Sequence, residues 1–317
     1  MKTGYLIILL GAFSVVSLFV GNIEISVSDV LSLNPEKLEI LTLTRIPRLA
    51  AIVITGAGMS ICGLILQQIS RNKFVSPTTG ASVSSANFGL LVATVFFSAY
   101  GYLAALAFSA VFALVGTFAF ILILRKVRVR NVVLVPLLGI MLGGLIESMA
   151  TFLAYRFNMV ESLNAWMVGS FTWIVKGRFE LLFLSVPLVF IAFLYANKFT
   201  IAGLGEDFST NLGLKYGQIV NLGLVIVSLV TATVMIIVGA VPFLDLIVPN
   251  IVSLYKGDNL RQTIWDTALF GAVFLLVCDI FSRLVIFPYE IPIGLTVGVI
   301  GSATFLILLF RRRAVEG

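Results

Sequence analysis

No histidine occurs among the 317 residues, so the commonest metal ligand, general base and near-neutral pH switch is missing. Cysteine is nearly as scarce. Cys62 and Cys278 stand more than 200 residues apart, each inside an apolar run, and read as small core hydrophobes. Charge is the third scarcity: 11% of residues are charged, 60% are apolar, and the mean hydropathy is +1.11. Soluble globular domains carry roughly 25% charged residues, and disordered chains join high charge to low hydrophobicity, so both classes are excluded. A phosphate-cradling GxxxxGK[ST] loop is also absent. If ATP drives transport here, another polypeptide hydrolyses it.

What is present is apolar length. A spanning helix takes about 20 mostly apolar residues. Runs of that kind fall at 5–20, 48–69, 86–99, 103–124, 132–154, 180–196, 217–238, 241–255, 264–282 and 291–310. They predict an all-α polytopic membrane protein of about ten transmembrane helices. The whole chain, 1–317, reads as a single transmembrane domain, the first run being a retained helix. With the N-terminus inside, 14 of the 21 basic residues, from Lys2 through Arg71, Arg125–Arg130 and Lys215 to Arg311–Arg313, fall on the inner side. The positive-inside rule then puts both termini in the cytoplasm. The net charge of +6 reads as orientation, with membrane lipid as the contact and no nucleic acid.

Two of the runs are too short to cross unaided. The segment 86–99 follows Pro77-Thr78-Thr79-Gly80, and 241–255 carries Pro242, Asp245, Pro249 and Asn250. Irregular polar backbone survives at membrane depth only where protein or a wet cavity surrounds it. Interrupted helices in the two halves of a chain point to a transport pathway.

Four groups of residues carry candidate chemistry. Arg45-Ile46-Pro47-Arg48 is expected at the outer mouth of the second helix, with Pro47 at its first position. It reads as lipid-phosphate snorkelling or as a cationic docking site for an acidic outer partner. Asn72 and Phe74, between the basic Arg71 and Lys73, are either a positive-inside signal or a constriction. In Gly203–Gly213, Leu204, Phe208 and Leu212 are spaced by four and share a helical face. Glu206 and Asp207 open that helix, Asn211 lies near its end and Gly213 stops it. Its acidic polar face would be repelled by anionic lipid, which favours a protein partner. Glu147 lies mid-membrane with Thr151 and Tyr155 on one stripe. It is either a satisfied helix–helix hydrogen bond, a pore-lining carboxylate or a proton relay. Asp279 precedes Arg283 by four residues, the spacing of an intrahelical ion pair.

The order of these anchors resembles a known family. Arg45-Ile46-Pro47-Arg48, Gly56-Ala57, Gln67, Arg71-Asn72, Gly205-Glu206, Leu212-Gly213, Pro242-Phe243, Pro249-Asn250, Asp279, Arg283 and Glu290-Ile291-Pro292 follow one another as in the FecCD-type permeases of ABC importers for iron siderophores, haem and vitamin B12. The phrases from Gln67 to Thr79, Asn211 to Tyr216 and Phe287 to Glu290 are similar to the branch serving petrobactin-type catecholate siderophores in Bacillus-like bacteria.

The resemblance implies a type II ABC importer permease fold of ten helices, paired with a second permease, a paralogue in this branch. Two ATPase subunits hold ATP and Mg below, and an extracytoplasmic siderophore-binding protein docks above. No cofactor is implied in this chain. By position, Arg45, Arg48 and Arg283 match arginines that meet the binding protein. The loop with Gly205, Glu206, Phe208, Asn211, Leu212 and Gly213, within coupling helices at about 201–216, matches the ATPase contact. Asn72 and Phe74 match the cytoplasmic gate, with Glu147 and Thr151 on the pathway. Lys73, Asp245 and Asn250 depart from the residues common in the family. The expected function is therefore that of a non-enzymatic transport subunit in the cell membrane. The rival is a proton-coupled secondary transporter using Glu147.

Overall fold

The computed structural model describes residues 3–21, 23, 25–26, 28–29, 32–127 and 134–316, with side chains as far as residue 307. Lys2, Arg128, Arg130 and the side chains of Arg311, Arg312 and Arg313, which enter the orientation argument, lie outside the described residues.

Every regular element among the described residues is helical. In chain order they are α1 Thr3–Phe19, α2 Pro35–Ile40, α3 Ile46–Ser70, α4 Ser82–Phe96, α5 Gly101–Val127, α6 Leu134–Arg156 and α7 Val160–Val168. They continue with α8 Ser185–Leu194, α9 Ala196–Ala202, α10 Glu206–Asn211, α11 Tyr216–Ile237, α12 Leu244–Lys256, α13 Leu260–Leu284 and α14 Ile293–Glu316. Ten of these, with α8 and α9 taken as one run, coincide with the ten expected spans. The α8–α9 run bends by 64°, so the sixth span ends in a short helix turned aside from it. The nine-residue α7, which no apolar run announces, occupies the connection between α6 and α8.

The α3 start differs from expectation. Asn34 caps a helix that begins at Pro35, its Oδ1 accepting the N–H groups of Glu36 and Lys37. That helix passes through a π-turn at Leu41–Arg45 directly into α3. Pro47 therefore sits inside a 36-residue helical run, Pro35–Ser70, and the arginines beside it do not face a helix N-terminus. Proline has no N–H to give the carbonyl four residues earlier. That carbonyl, on Leu43, instead accepts the N–H of Lys176 at 2.9 Å. A loop distant in sequence satisfies the group that the proline leaves open.

α3 and α11 form the interior: 72% of the apolar window of each is buried, against 22% for α6. Around α3 pack α12, α13 and α11, while α4 lies against α5 and α6. The closest approaches use glycine. A Cβ on Gly63 would overlap the backbone carbonyl of Asp245 on α12, and one on Gly56 would overlap α13 at Gly271. Cys62 and Cys278 are both buried and unbridged, as core hydrophobes.

Candidate functional site

At one end of the bundle the three arginines converge on the same small region. Arg48 lies between two carboxylates. Its Nε and Nη2 donate to Asp279 Oδ1 at 3.2 and 2.8 Å, and its Nη1 donates to Glu290 Oε2 at 2.8 Å. Arg283 Nη2 pairs with Asp279 Oδ2 at 2.6 Å, the i,i+4 pair that the spacing predicts. The remaining donors of Arg283 reach the C-terminal turn of α1, meeting Ser17 O, Ser17 Oγ and Val20 O at 3.1, 2.7 and 2.7 Å. Arg45 reaches Val20 O and Ile23 O at 2.5 and 3.2 Å. Cations on the last carbonyls of a helix complement its dipole. Thr172 Oγ1 closes the group by donating to Glu290 Oε2 at 3.1 Å.

The expectation of three exposed docking charges is corrected in this respect. The Arg283 and Arg48 side chains are 1% and 12% exposed, and both are engaged internally. Three cations meet two carboxylates, leaving one positive charge in excess on a half-buried platform. Among the described residues, Arg156, Lys176 and Arg178 are exposed, as is Trp173. The sequence marks the three cations only as outer-loop charges.

At the opposite end α9 and α10 form the short platform read from Gly203–Gly213. Gly205 takes φ +112° at the N-cap of α10, and Gly213 takes φ +77° after its end. Ser209 is buried and ties α10 down, its Oγ donating to Ile201 O at 2.9 Å and to Gly205 O at 2.5 Å. Leu204, Phe208 and Leu212 are left more than half exposed. Glu206, Asp207 and Asn211 lie exposed around them. An apolar centre thus carries an acidic rim.

Beside this platform the two interrupted segments meet. α3 ends at Arg71 with φ +50°, and the chain from Asn72 to Ala81 is held on α12. Asn72 Oδ1 accepts the Phe74 N–H at 2.8 Å, and the Phe74 ring meets Phe305 edge-on with centroids 5.9 Å apart. Asn250 Nδ2 donates to Lys73 O at 2.7 Å and to Leu246 O at 2.8 Å. Lys73 Nζ pairs with Asp258 at 2.6 Å. Asp245, fully buried, accepts from Thr78. Lys73, Asp245 and Asn250 thus belong to one contact.

Glu147 Oε1 accepts from Ser84 Oγ on α4 at 2.7 Å, a helix–helix hydrogen bond, although α6 leaves much of this stripe uncovered. Thr151 is half-buried on the same face.

A ten-helix membrane bundle with paired interruptions and a projecting platform at one end defines a polytopic transport permease. The chain belongs to the FecCD transport family, whose profile matches residues 7–311. It is 51% identical over 314 residues to the petrobactin import system permease YclN of Bacillus subtilis, covering 99% of both chains. It is 39% identical to the petrobactin import system permease FatD of Bacillus anthracis (97% of this chain, 89% of that one). To the ferric-anguibactin permease FatD of Vibrio anguillarum it is 38% identical (93% and 94%). Among solved structures it matches an inward-facing metal-chelate-type ABC transporter with a TM-score of 0.83 at 25% identity, over 98% of each chain.

Proposed function

We propose that this chain is the membrane-spanning subunit of an ATP-driven importer of ferric siderophore, the cargo being a catecholate of the petrobactin kind. The observation that carries the coupling to ATP is the α10 platform: Leu204, Phe208 and Leu212 exposed above a body to which Ser209 fixes them. In a chain with no nucleotide-binding loop, such a surface seats the ATPase that binds ATP and Mg. Two ATPase subunits and a second permease, a paralogue, complete the assembly. The open face of α6 with Glu147 is the surface offered to that second permease. Both termini lie in the cytoplasm, on the platform side. The opposite end, with Arg45, Arg48 and Arg283 in one network and Lys176 and Arg178 free beside it, receives the loaded binding protein.

In operation, closure of the ATPases displaces α10. Gly205 packs against the Arg71 guanidinium at the end of α3, so the displacement reaches the Asn72–Phe74 gate. The proton-coupled reading gives way, because Glu147 is engaged by Ser84 and the relatives are import-system permeases.

The test is uptake of labelled ferric petrobactin by a strain deleted for this gene. Restoration by the wild-type chain, and not by a Phe208→Asp, Leu212→Asp variant that still reaches the membrane, is the expected outcome. Uptake that persists in that variant, or that needs a proton gradient and no ATPase, overturns the proposal.

A further inference from the structure

One surface feature plays no part in transport as described above. α5 and α11 leave an apolar groove of about 570 Å³ on the outside of the bundle, lined by Leu114, Val115, Phe118, Leu122 and Val225 with one amide, Asn221. Residues 115, 118, 122 and 125 run along one face of α5 by helical spacing. The same holds for Lys215, Gln218, Asn221 and Val225 on α11, all four of them exposed. Both stripes run from apolar to cationic: Val115, Phe118 and Leu122 lead to Arg125 on α5, and Val225 leads through the amides Asn221 and Gln218 to Lys215 beside α11.

The cationic end is built. The Arg125 guanidinium lies 5.4 Å above the ring of Tyr216, a cation–π contact that holds it at the mouth of the groove. Lys126 is exposed beside it. Lys215 stands at the N-cap position of the 22-residue α11 without a side-chain capping bond, where the helix dipole attracts anions. From Leu114 to Arg125 the helix rises about 16 Å, matching the ~15 Å half-thickness of a bilayer's hydrocarbon core. Asn221, about 7 Å along α11 from Tyr216, is an exposed amide between the cationic mouth and the apolar lining.

We propose that this groove binds one anionic phospholipid. Its acyl chain lies along Leu114–Leu122 and Val225, its ester carbonyls meet Asn221, and its phosphate sits between Arg125 and Lys215. Each basic group near a membrane surface favours an anionic headgroup, so a phosphate with no choline charge is preferred. Contact with α11, one of the two most enclosed helices, makes the occupant a structural lipid of the bundle.

The test is native mass spectrometry of the full-length purified chain, titrated with phosphatidylglycerol or phosphatidylcholine of equal acyl length. One phosphatidylglycerol per chain should be retained at least about tenfold more tightly than phosphatidylcholine. Arg125→Glu with Lys215→Glu should abolish that preference. Leu122→Trp, at a position already facing lipid, should weaken both lipids by filling the groove. Arg261→Glu, an exposed charge elsewhere on the chain, should change nothing. Asn221→Leu, the mildest change, provides a variant that folds should the charge reversal fail, and it should lower phosphatidylglycerol retention severalfold. Equal retention of the two lipids, insensitivity to Leu122→Trp, or a groove filled by a partner protein's helix in the assembled complex each overturns the proposal.

Discussion

Asp245 Oδ2 accepts two hydrogen bonds from Thr78, the backbone N–H at 2.8 Å and the hydroxyl at 2.7 Å. One carboxylate in the interrupted second half of the chain thereby fixes the interrupted segment of the first half, 167 residues away. Removing the carboxylate leaves a part-buried N–H with no acceptor, which costs about 1–3 kcal/mol. Asp245→Ala should lower the unfolding free energy of the purified chain by that amount. Thr78→Val, which loses only the hydroxyl bond, should lower it by about half as much. In the intact complex, a cysteine placed at Ser76 should label faster in the Asp245→Ala background. Equal labelling in both backgrounds excludes a latch at the gate.

The neighbouring pair Lys73–Asp258 is of a different kind. Its side chains are 33% and 58% exposed, and exposed ion pairs contribute about 0–1 kcal/mol. Asp258→Asn should leave the melting temperature within error and should not alter gate labelling, whereas Asn250→Ala, which releases Lys73 O, should increase it. A large effect of Asp258→Asn would place the latch at the surface.

How these contacts relate to the sequence differs from one to the next. The ten spans are legible because apolar length is a local property; the shared helical face is only partly so, since of the residues spaced by four only Phe208 lies within α10, Leu204 preceding the Gly205 turn and Leu212 standing at the C-cap. The Asp279–Arg283 pair is legible because its spacing of four is local too. Arg48 finding Asp279 and Glu290, 231 and 242 residues away, leaves no mark at any fixed spacing. Pro47 misleads in an instructive way. Locally it reads as a helix start, and only the Lys176 N–H from a remote loop lets the helix run through it. The α7 helix escapes because it lacks a capping side chain at Met159.

The outer network separates stability from docking. Arg283→Ala strips a buried carboxylate and the α1 carbonyls of one partner, and breaking a buried pair typically costs about 3–5 kcal/mol. Loss of folded protein from the membrane is expected. Arg283→Lys should not rescue it, since one ammonium cannot reach Asp279, Ser17 and Val20 in the fork geometry of a guanidinium. Reversal at Lys176 and Arg178 should leave expression and melting unchanged. It should slow association with the proposed binding protein, an effect that fades as salt is raised. Unaltered association at low salt would return the docking role to Arg45 and Arg48.

The ATPase contact is tested most sharply at its hinge. Gly205 sits at φ +112°, and a side chain there would meet the Arg71 guanidinium at 2.9 Å. Strained backbone of this sort costs about 1–3 kcal/mol, so Gly205→Val should tilt α10 without unfolding a bundle whose core lies elsewhere. Phe208→Asp alters the exposed face alone and should weaken ATPase assembly by about 2 kcal/mol or more. The two variants then fail differently. Phe208→Asp should lose co-purified ATPase. Gly205→Val should keep part of it but lose stimulation of ATP hydrolysis by the loaded binding protein, because the step from α10 through Arg71 to Asn72 and Phe74 is misaligned. If Gly205→Val retains full stimulation, the movement of α10 does not pass through the end of α3.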